Sequence, residues 1–494
     1  MNESEAFRPE ARQPRGFRDR FAGEVARERE MIAALSALAE RYGFAPLATP
    51  ALEYADALGK FLPDEDRPNE GVFAFQDDDE AWLSLRYDHT APLARLVAQG
   101  EAPPARPLRR YAAGPVWRNE KPGPGRFREF LQFDVDTVGS EAMAADAELI
   151  AFLAEGLEAV GVPQDGFVVN LSHRKLVAGI MDAAGIPAGE DAAIRAQRLR
   201  VLRSIDKLDR LGIEGVRLLL GPGRRDESGD VTPGAGLKDS QIASIEASLG
   251  ATVAFDAGGE LGRTPAGREA LADLEEIRLA LAALGIGAER VRVTPSVVRG
   301  IEYYTGPVFE AELTHEIRGP DGAPMRFGSV ASGGRYDDLV MRFTGERVPA
   351  TGASVGVSRL ISALTKAGEA AGAEGPVLVL AMDRAMTADY LAMVAELRGA
   401  GIPAELYLGR AGMKAQLKYA DRRGSPVAVI QGGDERAKGE VTLKDLKLGA
   451  EMARSIEDNR AWREGRPAQE TAARGTLVAS VRAILARQRE GRAP

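Results

Sequence analysis

Apolar positions along the chain change their spacing several times, and the order of the changes predicts the organisation. Residues 21–41 carry Val25, Ile32, Leu35 and Leu38 at helical spacings with charges between them, which predicts an amphipathic helix. Gly43, Pro46 and Pro50 then break the helix and start extended chain. From there to about residue 170, short apolar runs separated by turns at 77–80 and 121–126 predict strands, with a helix returning over 141–161. Leu/Ala/Arg-rich helical stretches dominate 171–290 around a Gly/Asp-rich segment at 221–236, and read as a helical insertion. Strands resume over 291–365 and end in an apolar helix.

The small-residue run 367–375 marks a boundary. Beyond it the pattern predicts strand 376–382, helix 387–399, strand 404–408, helix 413–423 and strand 427–431, with hairpin-like residues 434–448 following. Alternation of this kind predicts a compact α/β module with a largely parallel sheet. The expected fold class is α+β: a core from 1–170 and 291–366, the insertion 171–290, and the α/β module 376–494.

Composition narrows the chemistry. A chain of 494 residues is long enough for several domains, at about 100–200 residues each. With 45% hydrophobic and 28% charged residues it can bury real cores. No run approaches the roughly 18 apolar residues of a membrane helix, and the polar N-terminus predicts no secretory signal, so a cytoplasmic location is expected. Cysteine is absent, which removes disulfides, thiolate nucleophiles and Cys-ligated metals. Only His89, His173 and His315 are present, so a His-rich metal site is not expected. The net charge of −9 opposes a protein that coats nucleic acid through overall positive charge, while leaving local contacts open.

Several polar clusters interrupt the apolar pattern. Arg118, Glu120, Arg126 and Arg128 flank a Gly/Pro turn between two strands, a hairpin suited to a polyphosphate or simply a solvated surface. Gln132, Asp134 and Asp136 alternate with Phe133 and Val135, so the polar three share one strand face. That face is either wet or binds something polar or cationic. In Arg86-Tyr87-Asp88-His89-Thr90, Asp88 or Thr90 starts the following helix, takes a ligand ammonium group, or does both. Arg299 stands beside Gly300 and the adjacent Tyr303 and Tyr304, which on a strand face opposite ways. Gly333-Gly334 permits close backbone approach or a bulge. Gly352-x-x-x-Gly356-x-x-Arg359 is a small-residue strand leading into a helix, an arrangement that lets a flat ring lie against bare backbone under a guanidinium.

Taken in order, Gly-Phe-x-x-Leu-x-x-Pro (43–50), the Arg-loop-Arg hairpin (118–128) and the Gly-x-x-x-Gly-x-x-Arg segment (352–359) resemble the three motifs of class II aminoacyl-tRNA synthetases. VVRGIEYY (297–304) and ASGGRYDDL (331–339) resemble the two signature peptides of the histidyl-tRNA synthetase family, and the last domain is similar to that family's anticodon-binding module. The resemblance implies an antiparallel-sheet catalytic core that joins L-histidine to tRNA(His) through histidyl-adenylate, with ATP as substrate and Mg²⁺ accompanying it. It implies catalytic roles for Arg118 and Arg299, which meet the α-phosphate and the substrate carboxylate. Arg126 and Arg128 would lie near the β- and γ-phosphates, with Glu120 and Arg359 at the adenine. Asp88, Thr90 and Gln132 would hold the ammonium group, and Asp136, Tyr303 and Tyr304 would line the imidazole pocket. His89 falls within the histidine-binding segment, and the metal ligands stay unassigned. A homodimer is also implied.

Two segments depart from the common bacterial pattern. Arg86-Tyr87-Asp88-His89-Thr90 stands where that pattern has Arg-Pro-Glu-Gly-Thr, and Phe133-Asp134-Val135-Asp136 looks more like the eukaryotic type. The altered loop 119–125 would meet the tRNA acceptor end, so dependence on the extra 5′ guanosine of histidine tRNA is expected to differ. Lys414 and Lys418, at i and i+4, share a helix face suited to phosphate contact. The competing expectation is a histidine-binding regulatory paralogue of the ATP phosphoribosyltransferase complex, which binds histidine without charging tRNA and typically lacks the C-terminal module.

Overall fold

The computed structural model describes residues 9–58, 71–100, 106–123, 125–189, 191–225, 231–250, 260–295, 297, 304–314, 317–318, 324–325, 328–366, 374–455 and 468–490. The chain divides into two compact units, one comprising Arg27–Ala370 with the segment ending at Arg20, the other Ala371–Pro494 with Phe21–Ala26.

The larger unit is built on an eight-stranded sheet. Its six central strands are β1 (Leu108–Trp117), β2 (Glu129–Val138), β3 (Phe167–His173), β4 (Pro307–Leu313), β5 (Ser329–Arg335) and β6 (Ala350–Gly356). They run antiparallel in the order β1-β2-β6-β5-β4-β3. The short strands Ala45–Pro46 and Val291–Val293 add in parallel at the two edges.

One sheet face is apolar and packs under helices. Phe133, Val135, Phe309, Ala311 and Val355 meet Met31, Leu35 and Leu38 of helix Ala22–Arg41 and the almost wholly buried helix Met143–Ala159. Leu271, Leu274 and Ile277 of helix Pro265–Ala283 join the same core. That helix therefore packs with the large sheet, although it lies within the stretch read as an insertion. The helices Arg174–Ala183, Ala192–Ile205, Leu208–Leu220 and Asp239–Gly250 gather instead around a second core that includes Ile180, Val201, Val216 and Ile245. His173, at the end of β3, ties the sheet to helix Pro265–Ala283. Its Nδ1 accepts from the Lys175 amide at 3.0 Å, so Nε2 carries the proton and donates to Asp273 at 3.0 Å.

The smaller unit has a five-stranded sheet in the order Ala404–Leu406, Val377–Val379, Val427–Ile430, Glu440–Asp445, Gln469–Ala473. The first three strands are parallel and the last two antiparallel, so the sheet is mixed rather than largely parallel. Residues 434–448 are not a hairpin. Gly433–Lys438 is a short helix ended by Gly439 at φ +70°, and Glu440–Asp445 follows as a strand. Left-handed glycine is the ordinary helix stop. Among the described residues no helix is long and apolar enough to cross a membrane.

Candidate active site

The second face of the large sheet is polar, and strand register explains how. Gln132, Asp134 and Asp136 alternate onto it from β2. Opposite them β1 places Gly114, Ala112 and Arg110, while β6 places Gly356, Ser354 and Gly352. One strand further, β5 sets Ser332 beside Ser354 and Gly334 beside Gly352. Apart from Arg110, small residues flank the three polar ones, and the sheet opens into a cleft of about 420 Å³. Arg118, Glu120, Arg126, Gln132, Ser354 and Arg359 are among its lining residues.

The glycines are required by what stands over them. A Cβ on Gly352 would lie 2.1 Å from Asp136 Oδ1, and one on Gly334 would lie 2.7 Å from the Tyr304 ring. Both clear space for the acidic end of the cleft, a role different from receiving a flat ligand ring.

Three carboxylates converge at that end. Asp88 Oδ1 accepts from the amides of Thr90 (3.0 Å) and Ala91 (2.9 Å), which starts helix Thr90–Ala98. Asp134, buried, accepts from Ser354 Oγ at 2.5 Å and from the His89 amide at 3.3 Å. Asp136 is buried too, accepts from the Tyr336 hydroxyl, and pairs with Arg110 Nη2 at 2.7 Å. Burial raises the carboxyl of Asp88, with the charge of Asp134 adding to it. Burial likewise lifts the hydroxyls of Tyr304 and Tyr336, so both are neutral donors at pH 7.

Burial pushes Asp136 up to about 6, opposed by Arg110 and reinforced by Asp134. An unfolded aspartate releases its proton near about 3.9. The folded state therefore holds an extra proton between about pH 4 and pH 6, and its stability declines as pH rises through that window. Asp136→Asn removes this decline. In thermal melts, the variant's melting temperature relative to wild type rises from about pH 4 to pH 6. A difference that stays constant with pH contradicts the assignment.

The expected site residues do not all converge. Arg118 lines the cleft, with Nε donating to the Tyr87 carbonyl at 3.2 Å and its guanidinium 5.2 Å from the Phe130 ring. Arg126 closes a tight turn by reciprocal backbone bonds with Gly123 and also lines the cleft. Arg128 turns away: its guanidinium lies over Phe73 at 5.9 Å and Nε donates to the Glu120 carbonyl at 3.1 Å. The strand begins only at Glu129, so strand alternation does not carry back to Arg128. The His89 ring is buried 3.4 Å from the Gly114 carbonyl and, kept neutral chiefly by burial, faces backbone. Arg299 and Tyr303 lie outside the described residues. The structure adds Arg110, Tyr336 and Ser354, which sequence reasoning did not single out. Arg110 and Ser354 stand directly across from Asp136 and Asp134.

An antiparallel sheet with an arginine-lined cleft and an acidic end, followed by a separate α/β unit, is the build of a class II aminoacyl-tRNA synthetase. Residues 16–360 match the histidyl-tRNA synthetase family model and residues 376–462 match an anticodon-binding domain. The chain is 55% identical over 491 residues to the histidine–tRNA ligase of Caulobacter vibrioides, covering 97% of both chains. It is 52% identical over 491 residues to that of Mesorhizobium japonicum, covering 98% of both. A crystal structure of histidyl-tRNA synthetase from a Nostoc species superposes with a TM-score of 0.72 at 27% identity, over 96% of this chain and 100% of that one. The chain belongs to the histidyl-tRNA synthetase family.

Proposed function

We propose that this chain ligates L-histidine to tRNA(His) with ATP, through histidyl-adenylate. The observation that carries this reading is identity above half to histidine–tRNA ligases along nearly the whole chain, anticodon-binding module included. The regulatory-paralogue reading requires neither that module nor a nucleotide cleft lined by Arg118 and Arg359.

In the proposed reaction the histidine carboxylate attacks the α-phosphorus and pyrophosphate leaves. Arg118 and Arg299 hold the α-phosphate and the carboxylate in line and stabilise the charge that builds between them. Arg126 faces the β- and γ-phosphates, whereas Arg128 reaches them only by leaving Phe73. Glu120 and Arg359 receive the adenine. Asp88, Thr90 and Gln132 hold the ammonium group. Asp136, Tyr303 and Tyr304 meet the imidazole, whose two nitrogens need both an acceptor and a donor. A pocket built to pair both nitrogens rejects apolar analogues by about 10⁴-fold. The 3′ hydroxyl of the tRNA's terminal adenosine then displaces AMP and takes the histidyl group.

Mg²⁺ would accompany ATP, held mainly by phosphates and water, and would neutralise charge on the leaving pyrophosphate. At the arginine-lined end of the cleft Glu120 is the only acid among the described residues, which fits a metal carried by the nucleotide. The working protein is a cytoplasmic homodimer. Residues 1–170 and 291–366 form the catalytic domain and 171–290 the insertion, with helix Pro265–Ala283 packed on the catalytic sheet. Residues 376–494 form the anticodon-binding domain.

The segments Arg86–Thr90 and Phe133–Asp136 mark a divergent, eukaryote-like type, and the tight turn Gly123–Arg126 alters the part of the hairpin that meets the acceptor end. Charging of tRNA(His) transcripts tests both levels of the reading. Histidine is attached to transcripts with and without the extra 5′ guanosine. Failure to charge either transcript contradicts the ligase, and loss of charging only when the guanosine is omitted contradicts the divergent recognition.

A further inference from the structure

The backbone of one residue at the acidic end of the cleft, His89, is gripped at both of its polar atoms by buried charged side chains. The His89 amide donates to Asp134 Oδ2 at 3.3 Å, and the His89 carbonyl accepts from Arg110 Nη2 at 2.9 Å. Both side chains are 2% exposed, and neither lines the cleft. Each is tied down from behind. Asp134 Oδ1 takes the Ser354 hydroxyl at 2.5 Å, and Arg110 pairs with Asp136 at 2.7 Å.

His89 sits between Asp88 and Thr90. It uses its backbone for this grip while its ring faces Gly114. The two bonds fall on the two peptide groups that flank the His89 Cα, so movement of this backbone would carry the neighbours on both sides, including the Asp88 carboxylate that begins the helix. Charged partners suit such a grip, because hydrogen bonds to ionised groups are stronger than neutral ones.

We infer that Asp134 and Arg110 are positioning residues that set the substrate-ammonium site through the His89 backbone, without touching the substrate. The inference rests on the assignment of Asp88 and Thr90 to the ammonium group. Asp134 holds the peptide group that joins Asp88 to His89, and Arg110 the one that joins His89 to Thr90. Losing either lets Asp88 and Thr90 drift relative to the sheet, while the nucleotide end, built from β1, β2 and the helix carrying Arg359, stays in place.

Calorimetric titration of the full chain tests this with two ligands: L-histidine, and 3-(imidazol-4-yl)propanoate, which lacks only the ammonium group. Asp134→Ala leaves the buried amide unpaired and is expected to weaken histidine about 10-fold while changing the analogue less than about 2-fold. Asp134→Asn keeps an acceptor for the amide and is expected to stay within about 3-fold of wild type for both ligands. If Asp134→Ala does not fold, Arg110→Lys carries the same test. It retains the charge beside Asp136 but is too short to reach the His89 carbonyl, and the same selective loss is expected.

Equal weakening of both ligands, or an Asn variant as impaired as the Ala variant, overturns the positioning role. Asp88→Ala, run in parallel, separates the two levels. If wild type binds histidine and the analogue equally, the ammonium assignment fails and the inference with it. If Asp88→Ala abolishes the preference for histidine and Asp134→Ala does not, the inference alone fails.

Discussion

Arg118→Gln lowers the rate of histidyl-adenylate formation by about 10²–10³-fold, the usual cost of removing one aligned donor from a developing anionic centre. Arg118 is fixed at the end of β1 with Nε on the Tyr87 carbonyl and its guanidinium near Phe130, so it meets a ligand already oriented. Glutamine keeps a donor but loses the charge and the bidentate fork. The side chain faces an open cleft rather than a core, so the melting temperature is expected to hold. Because the lost interaction strengthens in the transition state, kcat and kcat/KM fall together while histidine KM changes little. Pre-steady-state formation of the adenylate with saturating ATP measures this. A loss below about tenfold would remove Arg118 from the centre of the mechanism.

Gly352→Ala is expected to have the second large effect, and at a position with no polar atom to lose. The new Cβ would fall 2.1 Å from Asp136 Oδ1 and 3.1 Å from the Tyr336 ring, both buried against β6. Asp136 cannot retreat without leaving Arg110, and Tyr336 is bonded to the same carboxylate. Overpacking of this kind typically costs about 1–3 kcal/mol. A displacement of about 1 Å at a positioned group also costs about 10²-fold in reaction. Histidine KM should therefore rise about 10²-fold with ATP KM nearly unchanged. Steady-state exchange kinetics with each substrate varied in turn distinguish this from general damage, which would raise both.

Much of the site was legible in the sequence because it follows from local geometry. The alternation of Gln132, Asp134 and Asp136 with Phe133 and Val135 placed the polar three on one face, and the structure has them there. The strand 350–356 leading into the helix that carries Arg359 was equally plain, since small residues end where helical spacing begins. What the sequence did not show depends on register between distant strands. Nothing near Gly352 says that it faces Asp136, because pairing register is decided by the whole sheet. Nothing within LRRY distinguishes Arg110; only β1 laid beside β2 brings it opposite Asp136. Arg128 was placed with Arg126 by the resemblance alone, and the strand that could fix its direction begins only at Glu129. The helix at 433–438 escaped because six residues are too short to show a helical period, and Gly439 reads as a hairpin turn as readily as a helix stop.

ATP–pyrophosphate exchange by the purified chain, with each of the twenty amino acids supplied singly and no tRNA present, bears most directly on the account. Exchange with histidine alone is the predicted result. It requires the arginine-lined cleft to activate ATP and the acidic end to choose the amino acid. Histidine binding without exchange would contradict the ligase and bring forward the regulatory reading. Exchange driven by another amino acid would contradict the pocket built around Asp136 and Tyr304.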